Sequence, residues 1–178
     1  MTDRPRVTAY LATSLDGYIA GPGGDLSWLA DGATPDEGDY GFARFEAEMD
    51  AIVMGRRSYE AIVEMDAWPY TRPVFVLSRG LAHLPQGRAA GLLKGEPGRI
   101  LDQMAARSHR QIYLDGGATV RGFLERDLVD RMILTRLPVV LGGGTPLFGT
   151  LDRPLRFRHE GTVVHGDRLV MSDYVRDR

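Results

Sequence analysis

The chain contains no cysteine. That absence removes disulfide bridges, thiolate nucleophiles, cysteine-based zinc sites and iron–sulfur clusters from consideration. Neither sign of charge is in excess: Lys and Arg total 22 against 24 for Asp and Glu, a formal net charge of −2, with a pI near 6.1. A nucleic-acid or acidic-membrane partner calls for a basic face, which this balance does not supply. No apolar run approaches the roughly 18 residues of a membrane helix. The opening MTDRPRVTAYLATSLDG also lacks the apolar centre of a secretory leader. His83, His109, His159 and His165 show no metal-ligand spacing and read as surface residues, so no metal is expected. These exclusions leave the expectation of a soluble, cytoplasmic protein.

What is present is ordinary globular composition, 178 residues of which 43% are hydrophobic and 26% charged. That suits one domain spanning 1–178 with a single sizeable core. Short apolar runs rich in β-branched residues recur at Arg6–Thr13, Ala51–Met54, Val74–Leu77, Ala89–Leu93, Ile112–Leu114 and Met132–Leu137, and read as strands. Helical stripes alternate with them: Phe42 to Met49, Arg57–Glu64, the segment opened by Pro97 with Ile100, Leu101, Met104 and Ala105, and the segment after Gly117. Alternation predicts an α/β fold, a mostly parallel sheet covered on both faces. Near the end, Thr162–His165 and Arg168–Met171 flank Gly166-Asp167, the signal of an antiparallel hairpin. The stretch from Gly21 to Tyr40 is the most irregular, and loops of that length tend to carry function.

Three strand ends carry anion-binding chemistry. In IYLDGGATVRGFLERDLVD, Gly116 and Gly117 separate a strand from a helix. A helix N-terminus presents unpaired N–H groups and a positive dipole end, and glycine lets phosphate reach them. Alone the motif fits a simple tight turn as well. Gly55-Arg56-Arg57-Ser58 repeats the arrangement after Ala51–Met54, adding two cations and a hydroxyl. Ser78-Arg79 closes Val74–Leu77. Phosphate-binding groups at the C-terminal ends of neighbouring parallel strands point to a dinucleotide.

In this order the motifs TSLDGYIA, DAIVMGRRSYE, VFVLSR and IYLDGGATVRGFLERDLVDRMILTRLPVVLGGGTPLF resemble the dihydrofolate reductase-like superfamily. The resemblance is to the branch containing the C-terminal reductase domain of the bifunctional riboflavin-biosynthesis deaminase/reductase. It implies a dihydrofolate reductase-like three-layer fold, NADPH as cofactor and a homodimer. It assigns Gly55, Arg56, Arg57 and Ser58 to the cofactor phosphates, and Leu77, Ser78 and Arg79 to the adenine and its ribose 2′-phosphate. Gly116, Gly117, Ala118, Thr119 and Val120 fall at the pyrophosphate and nicotinamide ribose, Ala12 and Ile19 beside the nicotinamide. Gly21 to Trp28 would be a lid. Trp28 either stacks on a substrate ring or plugs the core. Dihydrofolate reductases carry a carboxylate at the start of the first helix, and ungapped counting from Gly55 puts Asp39 there. Asp16, in Leu15-Asp16-Gly17, is a second candidate acid and equally a turn residue. The lysine and tryptophan-rich segment common in riboflavin-pathway reductases around SLDG are missing here, as is any deaminase signature. Gly142-Gly143-Gly144 reads as a flexible turn, and Trp68-Pro69-Tyr70 as a loop anchor. The expected activity is hydride transfer to a C=N or C=O bond of a small heterocyclic, pterin- or pyrimidine-like, substrate. The rival expectation is an NADP(H)-binding protein without turnover.

Overall fold

A computed structural model describes residues 4–32, 38–63, 65, 67–81, 83, 88–166 and 168–178. Residues 33–37 of the long irregular stretch, Glu64 of the expected third-strand helix and Asp167 of the expected hairpin turn therefore lie outside the described residues. In chain order the elements are β1 (Arg6–Thr13), β2 (Tyr18–Ala20), a 3₁₀ turn (Pro22–Gly24), α1 (Ser27–Gly32), α2 (Phe42–Ala47), β3 (Ala51–Gly55), α3 (Arg56–Val63) and β4 (Val74–Leu77). There follow β5 (Ala89–Leu93), α4 (Pro97–Ala106), β6 (Gln111–Asp115), α5 (Gly117–Glu125), β7 (Arg131–Arg136), β8 (Thr145–Pro146), β9 (Phe157–His165) and β10 (Leu169–Arg176).

The main sheet has eight strands in the order β5-β4-β3-β6-β1-β7-β10-β9. From β5 to β7 all neighbours run parallel, and β10 and β9 complete the sheet antiparallel. The final hairpin is longer than its turn signal announced, because Phe157 to Gly161 pair with Asp173 to Arg176 across a bulge at Asp173/Tyr174.

Period-2 alternation divides the core. Val53, Ile112 and Leu114 face one side, where Ile100, Leu101 and Met104 of α4 and Val120, Phe123 and Leu124 of α5 cover them. Ile52, Met54, Val74, Val76 and Tyr113 face the other, against Phe45 of α2 and Tyr59 of α3. Strands buried on both faces read as continuous apolar runs, which is why β3 and β4 are legible without a polar alternation.

The stretch after β1 is more ordered than a loop. Pro22–Gly24 forms a 3₁₀ turn and Ser27–Gly32 a helix, while β2 pairs with β8 in a separate two-stranded sheet. The three glycines before β8 are not a freely flexible turn either. Gly144 has φ +126, and a Cβ there would overlap the Ala20 carbonyl oxygen and lie 2.7 Å from the Gly21 carbonyl carbon.

Candidate active site

The parallel ladder between β1 and β6 ends at Ala9 and Leu114, whereas β1 continues beside β7 as far as Thr13. Chain leaving β1 leads to α2 on one face of the sheet, and chain leaving β6 leads to α5 on the other. Neighbouring parallel strands whose connections depart to opposite faces leave a crevice at their C-terminal ends, where open α/β sheets bind ligands. Asp115 and Gly116 stand at its mouth.

A groove of about 310 Å³ lies across the ends of β3, β4 and β5, bounded by α5 and the start of α4. It brings together Gly55, Leu77, Ser78, Arg79, Ala118 and Thr119, and adds Lys94, Gly95 and Glu96 from the β5–α4 connection. Two helix starts meet here with bare backbone. A Cβ on Gly55 would lie 2.9 Å from Thr119 Oγ1, and one on Gly116 would overlap Ser58 Oγ. Gly116 also has φ +85, a conformation open to glycine but costly to other residues. Gly117 does not have a positive φ. Its bareness serves a different contact, since a Cβ there would overlap Ile19 Cδ1.

The other sequence-assigned residues scatter. Arg56 and Arg57 are exposed at the start of α3, with Arg56 Nε 3.2 Å from Glu60. Arg79 is paired loosely with Glu96 at 3.5 Å. Val120 is fully buried in the core, and its N–H donates to the Gly116 carbonyl at 2.9 Å, so its side chain faces no ligand. Trp28 is 6% exposed and packs with Leu137 and Leu169 against Ala12. Core packing therefore accounts for its ring, yet its Nε1 is buried without a partner among the described residues.

Neither candidate acid is placed as one. Asp39 is solvent-exposed and accepts from the N–H groups of Gly41 (3.0 Å) and Ala43 (2.6 Å) at the start of α2. Those bonds, that to Ala43 foremost, hold its carboxyl below the usual range. The Ser14 hydroxyl likewise donates to Asp16 at 2.6 Å and is the main cause of its lowered pKa. Asp16 also accepts from the N–H groups of Leu141 (3.1 Å) and Gly142 (2.8 Å), pinning the loop after β1 to the loop before β8. Both carboxylates serve as backbone caps.

A buried-facing carboxylate that sequence reasoning passed over is Asp115. Burial pushes its carboxyl up, against hydrogen bonds from the Gly116 N–H and the hydroxyls of Tyr113 and Tyr70 that pull it down. Its signal was in plain view: a carboxylate closing an apolar strand just before two glycines. Tyr70, taken as a loop anchor, does pack edge-on to Trp68 at 5.6 Å and also reaches this carboxyl. His165 and His109 are likewise not simple surface residues. His165 packs against Tyr40 at 5.2 Å with its Nε2 buried, and His109 lies 5.5 Å from Phe75. Among the described residues no cluster of His, Asp and Glu is placed to hold a metal ion, and no helix is long and apolar enough to cross a membrane.

A parallel sheet with an antiparallel hairpin at one edge, and glycine-bared helix starts at its C-terminal crevice, defines a dihydrofolate reductase-like α/β fold. The chain belongs to the RibD C-terminal domain family, whose model matches residues 5–171. It is 31% identical to the uncharacterised YwjB protein of Bacillus subtilis over 173 residues, covering 96% of this chain and 98% of that one. A crystal structure from Shewanella sp. PV-4, provisionally described as a riboflavin biosynthesis protein, is 40% identical with a TM-score of 0.92, covering 97% and 99% of the two chains. Dihydrofolate reductase of Enterococcus faecalis, solved in complex with NADP(H), shares the fold at 17% identity, with a TM-score of 0.68 over 97% of each chain.

Proposed function

We propose that this protein is an NADPH-dependent reductase acting on a C=N or C=O bond of a small heterocyclic, pterin- or pyrimidine-like, substrate. The carrying observation is the groove that collects Gly55, Leu77, Ser78, Arg79, Ala118 and Thr119 from three separate strand ends. The chain's residues fit the cofactor on two counts. Gly55 and Gly116 let the starts of α3 and α5 approach until Ser58 and Thr119 fill the space a Cβ would take, bringing two helix N-termini together as pyrophosphate would need. Ser78, Arg79 and Lys94 supply a hydroxyl and two cations at the far end for a 2′-phosphate. Bound there, the cofactor supplies hydride. The protein's part is to align the reacting carbons at the β1–β6 crevice and keep water out.

Fluorescence titration with NADPH and NADH, followed by cofactor oxidation across pterins, pyrimidines and small carbonyl compounds, tests this reading. Absence of saturable NADPH binding would end it. One observation favours the rival, an NADP(H)-binding protein without turnover: Ile19 lies over Gly117 and Trp28 over Ala12, so the nicotinamide end is covered. Tight NADPH binding with no substrate reduced would select the rival.

We also read residues 1–178 as one domain that acts in the cytoplasm, and as a homodimer. Val163 and Val164 are exposed on β9, the outer strand of the sheet, and an unpaired edge of that kind invites a second copy. A monomeric mass in sedimentation at micromolar concentration would remove the dimer.

A further inference from the structure

We propose that Glu96 sets the balance between NADPH and NADH: its carboxylate competes with the 2′-phosphate for Arg79 and for Arg126, which is the third cation of that end of the groove. This rests on the reductase reading above and names two residues that decide which nicotinamide cofactor the groove prefers.

Three separate elements bring the groups together. Arg79 follows β4, Glu96 stands immediately before α4, and Arg126 stands immediately after α5. One oxygen of the Glu96 carboxylate lies 3.5 Å from Arg79 Nη2, and the other lies 3.5 Å from Arg126 Nη2. The carboxylate thus stands between two guanidinium groups that line the same groove. Glu96 and Arg126 also line a neighbouring hollow of about 400 Å³, so the pair divides the groove from it.

These contacts are loose by the standard of this chain. Arg131 meets Asp173 at 2.6 Å and Arg176 meets Asp127 at 2.7 Å, in both cases with mostly covered side chains. At Glu96 both contacts are longer, and Arg79, Arg126 and Glu96 are all well exposed. Exposed pairs of that kind contribute little to stability. Glu96 occupies the N-cap position of α4, yet its side chain accepts no bond from the N–H groups there. Beyond a favourable charge near the helix start, what the carboxylate does is neutralise cations in the groove.

A phosphate monoester carries nearly two negative charges, and its oxygens take charge-assisted bonds from guanidinium groups. A 2′-phosphate therefore draws Arg79 and Arg126 away from the single carboxylate charge, and then stands beside that carboxylate. NADH has a hydroxyl in that place and does neither. What Glu96 subtracts is subtracted from NADPH affinity alone. The lining charges agree: Arg79, Lys94 and Arg126 stand against Glu96 and Glu125, and neutralising Glu96 leaves those cations opposed by Glu125 only.

Fluorescence titration of the wild type, Glu96→Gln and Arg126→Ala with NADPH and NADH at low salt tests this, with 2′,5′-ADP in calorimetry as a probe of the adenosine end by itself. Glu96→Gln should bind NADPH and 2′,5′-ADP about three- to tenfold more tightly, and Arg126→Ala about three- to tenfold more weakly, the size of one charge contact in water-like surroundings. NADH should move less than about twofold in both variants, because it brings no charge to that end. Salt at about 1 M, where the Debye length is about 3 Å, should erase most of both changes. Glu160→Gln removes the same charge from β9, at the opposite edge of the sheet, and should leave NADPH affinity unchanged. Glu96→Gln should also lose slightly in Tm, since α4 loses a favourable charge at its start; tighter binding alongside lower stability separates competition from better packing. Unchanged or weaker NADPH binding by Glu96→Gln overturns the proposal, as does an equal gain for NADH. Unmoved NADPH affinity in Arg126→Ala overturns the part given to Arg126. A wild type that binds NADPH while both variants match it defeats this inference alone, whereas a wild type with no saturable NADPH binding ends the reductase reading and this inference with it.

Discussion

Replacing Gly144 by alanine tests whether the loop before β8 is a built contact. Its φ of +126 is one that L-residues rarely adopt, at a cost of about 1–3 kcal/mol. The added Cβ would also overlap the Ala20 carbonyl oxygen and lie 2.7 and 2.8 Å from the Gly21 carbonyl carbon and Cα. These are backbone atoms, so relief requires the chain to move, and overpacking of this kind costs about 1–3 kcal/mol. The Ala20 backbone has little room, because Ala20 pairs with Thr145 and the Gly21 N–H donates to Asp25 at 2.8 Å. Detachment of the short β2–β8 pair sets a ceiling, since its few hydrogen bonds contribute about 1 kcal/mol each. The expected loss is therefore roughly 2–4 kcal/mol by urea unfolding, or about 5–15 °C in Tm for a chain of this size. Gly142→Ala is the control: φ is +70 but nothing stands within 4 Å of its added Cβ, so about 1 kcal/mol is expected. If the two variants lose the same stability, or Gly144→Ala less than about 0.5 kcal/mol, the close contact with Ala20 and Gly21 is not what holds this loop.

Other expectations are simpler to read. NADPH should bind more tightly than NADH, and Arg79→Ala should narrow that gap, as should raising the salt beyond the roughly 0.15 M at which the Debye length is about 8 Å; equal affinities at low salt would contradict the assigned 2′-phosphate end. Gly117→Val should push Ile19 aside and weaken NADPH binding with the fold retained, because the overlapping atom is the tip of a side chain; unchanged affinity would place the pyrophosphate elsewhere. Asp39→Asn should leave NADPH affinity unchanged and lower turnover less than about tenfold, against the roughly 10²–10⁴-fold a general acid supplies, since its carboxylate caps α2. Stability should register Asp115 through pH. A raised native pKa gives stability that is complete below the ordinary carboxylate value and is lost as pH rises through the native one. The wild type should therefore lose Tm relative to Asp115→Asn between mildly acidic and alkaline pH, and parallel Tm curves would deny the shift.

The sequence by itself determined most strands of the main sheet and the glycines that open α5 and precede α3. Strands β1, β4 and β5 were legible to the residue: β1 and β4 because burial on both faces writes itself as an apolar run of the right length, and β5, at the sheet's edge with only Leu93 buried, as a short apolar run. The glycine-rich strand ends were legible because helix starts and phosphate geometry are local in the chain. Only the tertiary structure decided the rest, because the deciding contacts join residues far apart in sequence. Asp16 meets Leu141 across 125 positions, Tyr113 meets Tyr10 across 103, and Asp115 depends on a tyrosine from the loop before β4. Composition and periodicity report which residues prefer burial, not which buried residue faces which. A carboxylate's task depends on the latter. Asp39 and Asp16 became caps because free N–H groups stood beside them, and the Asp115 carboxyl is pushed up because burial outweighs the hydrogen bonds that reach it.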